Sequence, residues 1–237
     1  TAEETIMAFE DAELDLVVND PTGISNLGFG NANQTRYFNT TSMHYLGFNM
    51  NSSFLKYTAP RYALNFAVDR SYIVSELMEG CAVESTLPAN PASYLYNTEY
   101  AENYLYDLEK CLRILENADV KDHDDDGKLE YLVTGIPIEI DLTFIVNNDS
   151  IVKVQAARRI TETLKNMGIT VKLRELSWDD YITALEDGDF DIYYGEVKLT
   201  EDFDLSSLLL EEGSLNYCNI KVPSYEKFIS DYLCASE

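Results

Sequence analysis

Basic residues are scarce in this chain of 237 residues, in which 17 Lys and Arg stand against 42 Asp and Glu. The formal net charge of −25 opposes nucleic-acid binding, because affinity for a polyanion depends on Lys and Arg that neutralise its phosphates. Anionic membrane surfaces are disfavoured for the same reason. The acidic residues are spread along the whole chain, which is typical of a solubilising surface. We therefore expect no nucleic acid among the partners.

Histidine and closely spaced cysteines are also lacking, with two His and four Cys in the chain. His44 precedes a predicted strand and His123 lies in an acidic loop, and neither has a partner that suggests nucleophilic catalysis. The cysteines form no C-x-x-C pair, which argues against a zinc site and a dense disulfide framework but leaves one or two disulfides open. The cysteines are Cys81, Cys111, Cys218 and Cys234.

Long apolar runs are missing as well. No segment approaches the roughly 20 apolar residues that span a bilayer, and the start shows no basic-then-apolar signal peptide. Thr1 opens directly into a helical pattern, and residues 230–237 stop without a helix terminator. These features favour a chain whose two ends lie within a longer protein.

The sequence does contain alternating helix and strand patterns. Apolar residues at helical spacing predict helices at 3–12, 60–78, 151–167 and 178–187, and another that Asp107 caps at its start. Compact or alternating apolar runs predict strands at 14–18, 45–50, 138–146, 169–173 and 190–194. Turn-forming residues predict irregular segments at 19–41 and 81–105.

One strand–helix–strand unit is well defined by its tight links. The strand at 138–146, the helix at 151–167 and the strand at 169–173 form a βαβ unit, so the two strands are predicted to be parallel. Gly168 and Gly188 mark helix ends, while Ser177 and Asp180 resemble a capping box. The predicted fold class is α/β, with a mixed sheet flanked by helices.

An acidic loop resembles the beginning of a calcium-binding EF-hand loop. Asp122, Asp124 and Asp126 occupy its positions one, three and five. Position twelve is Val133 rather than Glu, so coordination would be incomplete even with Glu130 at position nine. We therefore expect a polar turn, with a bound calcium ion as the weaker alternative.

Several motifs occur in one order along the chain. The most specific is R-Y-A-L-N-F-A-V-D-R at 61–70, which is similar to an R-x-A-L-x-x-A-I-D-R helix. The others are Y-L-G-F-N at 45–49, Y-D-L-E-K at 106–110, D-D-D-G at 124–127, I-x-x-x-L-x-x-x-G-I-x-V within 156–171 and G-D-F-D at 188–191. Over nearly the whole chain, these motifs resemble the family-5 extracellular solute-binding proteins, which include oligopeptide, dipeptide and nickel binders.

The resemblance implies one lobe of a type II periplasmic-binding-protein-like fold. In that family a second lobe is inserted into the first, and a solute is captured between the two. Residues 1–40 then correspond to the end of a first-lobe segment and the crossover, and residues 41–237 to the second, C-terminal lobe. The implied function is the extracytoplasmic substrate-binding component of an ABC importer, with no enzyme activity and no cofactor.

The resemblance also implies partners and a location. The partners would be a peptide or other small solute, the ABC transporter permease and the first lobe of the same protein. The location would be extracellular, cell-surface or periplasmic, with membrane attachment only through a lipid anchor outside this chain. Val197, Lys198 and Leu205 depart from the family pattern near the ligand, which leaves the class of solute open.

A ligand-binding site follows from the same resemblance. In peptide-binding members an acidic residue pairs with the α-ammonium of the ligand, and the matching stretch here is 199–204. Asp202 is the first choice and Glu201 the second, because a carboxylate in a closed cleft forms a charge-assisted hydrogen bond. A solvated acidic loop is the alternative. Tyr193 and Tyr194 end the preceding strand and could contact the solute, although core packing is expected for at least one of them.

Two other functions stay open from the residues alone. One is a glycoside hydrolase with paired carboxylates, which requires a raised pKa in a dry pocket. The other is a calcium-dependent surface adhesin or scaffold domain. Since chance carboxylate pairs are inevitable among 42 acidic residues, neither signal is specific.

Overall fold

The computed structural model describes residues 2–18, 34, 36 and 38–235. Within these residues the strands are β1 (Ser42–Phe48), β2 (Glu130–Val133), β3 (Ile136–Glu139), β4 (Asp141–Asn147), β5 (Thr170–Leu176) and β6 (Ile192–Lys198). The α-helices are α1 (Ala2–Glu10), α2 (Thr58–Leu64), α3 (Arg70–Tyr72), α4 (Thr98–Ala101), α5 (Leu108–Asn117), α6 (Ile151–Asn166), α7 (Trp178–Asp187), α8 (Ser206–Leu209) and α9 (Ser224–Leu233). Asn65–Ala67 and Glu102–Tyr104 are 3-10 turns, and Ile73–Leu77 is a π-helical turn.

The main sheet has four strands in the order β1-β6-β4-β5. Strand β4 is parallel to β5 and β6, whereas β1 is antiparallel to β6. The predicted mixed sheet and the parallel pairing of the βαβ unit are thereby confirmed. Strands β2 and β3 form a separate antiparallel hairpin.

Helices cover both faces of the main sheet because successive side chains of a strand point to opposite sides. Phe144 packs in a large core with Ile160 and Leu164 of α6. The next residue, Ile145, packs on the other face in a smaller core with Tyr181 of α7. The sheet is therefore the middle layer of the described chain.

The predicted helix boundaries hold where short side chains cap the backbone. The Asp107 carboxylate accepts the backbone N–H of Lys110 at 2.8 Å, at the start of α5. The Ser177 hydroxyl accepts the N–H of Asp180 at 3.3 Å, at the start of α7. Gly188 ends α7 with a φ of 68°, a left-handed conformation that glycine adopts without steric cost.

The prediction of a single helix at 60–78 is wrong. The chain is extended at Val68, with φ −97° and ψ 107°, and a new helix begins after Asp69. The Asp69 carboxylate accepts the N–H of Tyr72 at 3.0 Å, which favours a helix start over continuation. Arg70 stabilises the break because its guanidinium donates to the Asn65 side chain at 2.8 Å. The apolar periodicity continues across this break, so the sequence pattern did not reveal it.

The prediction of a single strand at 138–146 is also wrong. The hairpin strand β3 ends at Glu139 and β4 begins at Asp141. Between them the Ile140 N–H donates to the Leu129 carbonyl at 3.1 Å, while its own carbonyl accepts from Thr170 at 3.1 Å. The chain passes here from the hairpin to the main sheet without interrupting the alternation of apolar residues.

The strand predicted at 14–18 is absent. No described strand lies beside it, and Leu16 and Val18 are 80% and 74% exposed. A strand needs a neighbour to satisfy its backbone, so an apolar run alone does not make one. Most of the irregular segment predicted at 19–41 lies outside the described residues, and the one at 81–105 contains α4.

The pairing of β1 with β6 depends on two reciprocal Gly–Tyr pairs. Tyr45 lies opposite Gly195, and Gly47 lies opposite Tyr193. Each ring covers the glycine that lies opposite it on the other strand, and the two hydroxyl oxygens are 3.1 Å apart. A Cβ at Gly195 would lie 2.5 Å from the Tyr45 ring, and a Cβ at Gly47 would overlap the Tyr193 ring. Only glycine therefore fits at these positions without moving a tyrosine ring.

We predict that Gly47→Ala destabilises the chain by about 1–3 kcal/mol, because an added methyl group overpacks a closed core. The measurement is the free energy of unfolding from chemical denaturation. Ser42→Ala, at an exposed position of the same strand, is the control and should change it by less than about 0.5 kcal/mol. Equal stabilities of the two variants would contradict this account of the strand pairing.

Among the described residues, no helix combines the length and the apolar character needed to cross a bilayer.

Candidate functional site at the carboxyl edge of the sheet

One edge of the main sheet collects the carboxyl ends of three strands. The parallel strands β4, β5 and β6 end there at Asn147, Leu176 and Lys198. The antiparallel strand β1 starts at the same edge, since Ser42 lies opposite Lys198. Open α/β sheets bind ligands outside this edge, which makes it the candidate site.

Glu201 and Asp202 lie at this edge in the loop that follows β6. The loop is tied to β1 because the Leu199 N–H donates to the Thr41 carbonyl at 3.1 Å. Phe203 is buried and anchors the loop from below. Both carboxylates are exposed, and within the described chain neither makes a hydrogen bond or an ion pair. They are therefore available to a cationic group of a ligand.

Tyr193 and Tyr194, by contrast, are 2% and 6% exposed and pack in the two cores on opposite faces of the sheet. Burial raises the pKa of each phenol, so both stay protonated. The Tyr194 hydroxyl lies 3.2 Å from Nδ1 of His44 and so borders the polar end of the strand pair. Contact with a solute stays a prediction for both residues.

A polar cluster that sequence reasoning missed lies beside Tyr194. His44 and Glu196 are directly opposite each other on β1 and β6, with Nε2 and Oε2 3.8 Å apart. Lys153, in the first turn of α6, forms an ion pair with the same Oε2 of Glu196. The three residues are distant in sequence, and only the strand register brings them together.

Two apolar side chains at the first positions of helices were also missed. Trp178 begins α7 directly after β5 and is 56% exposed, and Ile151 begins α6 after β4 and is 72% exposed. The two connections are joined by a hydrogen bond of 2.8 Å from the Asn148 N–H to the Leu176 carbonyl. The position of the lone Trp at the start of the helix predicted at 178–187 was the signal that could have identified it.

The acidic loop lies away from this edge, beside the start of β2. Asp122, Asp124, Asp126 and Glu130 each offer an oxygen atom, and these atoms lie within 4.8 Å of one another. Most of these carboxylates already accept protein N–H groups. Asp122 accepts from Gly127 at 2.8 Å, and Glu130 accepts from His123 at 2.7 Å. A polar turn held by these bonds stays our prediction.

We predict that about 1 mM calcium leaves the melting temperature unchanged, because position twelve of the loop supplies no carboxylate. The measurement is thermal unfolding with calcium and with chelator. Asp124→Ala removes a carboxylate that makes no described hydrogen bond, so it should behave like the parent. A melting temperature that rises with calcium in the parent and not in Asp124→Ala would establish a metal site instead.

Asp122→Ala should lower the melting temperature at neutral pH. The N–H groups of Gly127 and then Asp126 stabilise the charged form, which holds the pKa of Asp122 below its usual range. A carboxyl group with a lowered folded-state pKa contributes stability above its unfolded pKa of about 4 and loses it as the pH falls further. The difference from the parent should therefore shrink below about pH 4. A pH-independent difference would contradict this role.

Comparison with known proteins identifies the family of this chain. Residues 1–204 match the model of the bacterial extracellular solute-binding proteins, family 5 middle region. The oligopeptide-binding protein AppA of Bacillus subtilis is 26% identical over 193 residues, which cover 79% of this chain and 35% of AppA. The chain thus spans well under half the length of this relative.

Solved structures agree in fold. The structure of B. subtilis AppA in complex with a nonapeptide matches with a TM-score of 0.72 and 26% identity, over 84% of this chain and 40% of that one. A periplasmic oligopeptide-binding protein from Thermotoga maritima matches with a TM-score of 0.73 and 21% identity, over 100% of this chain and 48% of that one. The α/β sheet with its flanking helices is thus of the type II periplasmic-binding-protein-like kind, and the chain belongs to the bacterial extracellular solute-binding proteins of family 5.

Proposed function

We propose that this chain is part of the substrate-binding component of an ABC importer, which captures a peptide or similar small solute and delivers it to the permease. The observation that carries the proposal is the carboxyl edge, where the loop after β6 presents two exposed carboxylates without partners in the described chain. Similarity to AppA, solved with a nonapeptide, supports a peptide as the solute.

In this proposal residues 41–237 form the second lobe and residues 1–40 the end of a first-lobe segment with the crossover. The remainder of the first lobe belongs to sequence outside these 237 residues, and the solute is enclosed when the two lobes close. The protein works extracellularly, at the cell surface or in the periplasm, and a lipid anchor outside this chain provides any membrane attachment.

The chemistry assigned to the site is capture of a ligand ammonium group. Asp202 is the proposed partner and Glu201 the second choice, because both lie on the loop that β1 anchors to the edge. In the single lobe these carboxylates stay hydrated, and an exposed ion pair contributes only about 0–1 kcal/mol. Millimolar binding already requires about 4 kcal/mol of binding free energy. The opposing lobe must therefore exclude water before the ion pair can contribute enough to hold the ligand.

A hydrolase gains no support from this site. A catalytic carboxyl group with a raised pKa needs a dry pocket, whereas Glu201 and Asp202 are exposed. The adhesin alternative depends on the acidic loop, whose carboxylates largely bind the protein's own backbone. The family, moreover, is one of solute-binding proteins.

We predict that the 237-residue chain alone binds no peptide measurably, whereas a protein containing both lobes does. The reason is that a carboxylate exposed to water contributes too little free energy to its ion pair with the peptide for measurable binding. Isothermal titration of each protein with the same set of oligopeptides tests this. Micromolar binding by the 237-residue chain alone would refute the shared site, and the absence of any binding by the two-lobed protein would refute peptide transport.

In the two-lobed protein, Asp202→Asn should weaken peptide binding by about 10- to 100-fold, the contribution of a hydrogen bond to a charged group. Asp187→Asn makes the same change of charge at the end of α7, on the opposite edge of the sheet, and should leave affinity unchanged. Peptides with an acetylated amino terminus should bind the parent and Asp202→Asn equally. If Asp202→Asn binds peptide normally and Glu201→Gln does not, Glu201 is the residue that pairs with the ligand ammonium group. Normal binding by both variants would show that the loop does not hold this group.

A further inference from the structure

The two proposed ligand carboxylates lie at the tip of a tight turn. The Phe203 N–H donates to the Thr200 carbonyl at 3.0 Å, which closes a four-residue turn with Glu201 and Asp202 at its two central positions. Both central side chains are exposed. The directions in which they leave the chain therefore depend on the backbone conformation that the turn keeps.

The residue after the tip has a strained backbone. Phe203 has a φ of 54°, in the left-handed region that a bulky residue rarely adopts. Such a conformation persists only where its surroundings hold it. The Phe203 side chain is held because it is buried with Leu199 and Leu208. A buried ring still leaves the preceding peptide group able to rotate, so this group requires a contact of its own.

A hydroxyl group from α9 provides that contact. The Tyr232 hydroxyl donates to the backbone carbonyl of Asp202, 30 positions earlier in the chain. Among the described residues, no other element forms a hydrogen bond with Glu201 or Asp202. The bond fixes the peptide group between Asp202 and Phe203, and with it the direction of the Asp202 side chain.

The helix that carries Tyr232 lies on the surface. Helix α9 contains no buried residue, and Tyr225 at its start packs against the smaller core. Tyr232 follows about two helical turns later and reaches the loop after β6. Its hydroxyl group is therefore placed to act on the turn locally, without being part of either core.

A neutral donor suits this position. Partial burial and then the charge of Asp202 raise the pKa of the Tyr232 hydroxyl, so it stays protonated at neutral pH. A Lys or Arg at the same place could pair with the Asp202 carboxylate and compete with the ammonium group of a ligand. The tyrosine instead binds the backbone carbonyl and leaves the carboxylate available.

We infer that Tyr232 is a positioning residue of the solute site. It keeps the turn at 200–203 in the conformation that presents Glu201 and Asp202 to the solute. The inference rests on the proposed capture of a ligand ammonium group by this turn. A turn that is already ordered lowers the entropic cost of binding. In this role Tyr232 acts through the two carboxylates and not through contact with the solute.

Tyr232→Phe in the two-lobed protein tests the inference, because it removes the hydroxyl group and keeps the ring. Without solute, the Phe203 amide should exchange about 2- to 10-fold faster with solvent in NMR measurements, the effect of losing one hydrogen bond. The Leu199 amide, which is bonded to Thr41, should be unchanged. Peptides with a free amino terminus should bind about 2- to 10-fold more weakly, and acetylated peptides should bind as they do to the parent.

Tyr106→Phe is the matched control. Tyr106 is 41% exposed, against 40% for Tyr232, and its hydroxyl group forms no hydrogen bond within the described part of the chain. The control variant should change neither the exchange of the Phe203 amide nor the affinity for either kind of peptide.

Three results would overturn the inference. Unchanged exchange of the Phe203 amide in Tyr232→Phe means that the turn is held without this hydroxyl group. An equal loss of affinity for free and acetylated peptides means that Tyr232 does not act through ammonium capture. Normal binding by Tyr232→Phe, with Asp202→Asn or Glu201→Gln impaired, refutes the positioning role and leaves the proposed site intact. Normal binding by all three variants refutes the proposed site itself.

Discussion

The antiparallel pairing of β1 with β6 is the constraint on which the rest of the structure depends. It joins residues that are about 150 positions apart, and its register is fixed because Gly47 and Gly195 each leave room for a tyrosine ring of the other strand. A slip by one residue would place these rings against side chains and turn Tyr193 toward the wrong core. The same pairing aligns His44 with Glu196 and ties the loop after β6 to Thr41.

The functional proposal depends on which charged side chains this strand pairing leaves exposed to water. Helices pack on both faces of the sheet, and the loop after β6 at its carboxyl edge stays exposed to water. Glu201 and Asp202 project from that edge, while Glu196 is already occupied by Lys153. A single lobe of this kind holds a charged group in place but cannot dehydrate it, which is why solute capture is assigned to the closed two-lobed protein.

Local signals made part of the architecture predictable. Capping by Asp107 and Ser177, the stop at Gly188 and the βαβ unit around α6 depend on residues close in sequence, and these predictions are confirmed. The break at Val68 and the divided strand at Ile140 could not be predicted, because apolar spacing continues across both. The loop that carries Asp202 was located by its motif, whereas the cluster of His44, Lys153 and Glu196 depends on strand register, which the sequence does not reveal.

The most direct test of the central claim is a crystal structure of the two-lobed protein with a bound peptide. The account predicts a peptide between the lobes at the carboxyl edge of this sheet, with its amino-terminal nitrogen within hydrogen-bonding distance of Asp202 or Glu201. A peptide bound away from that edge, or one whose amino terminus faces the opposing lobe with both carboxylates still in water, would contradict it.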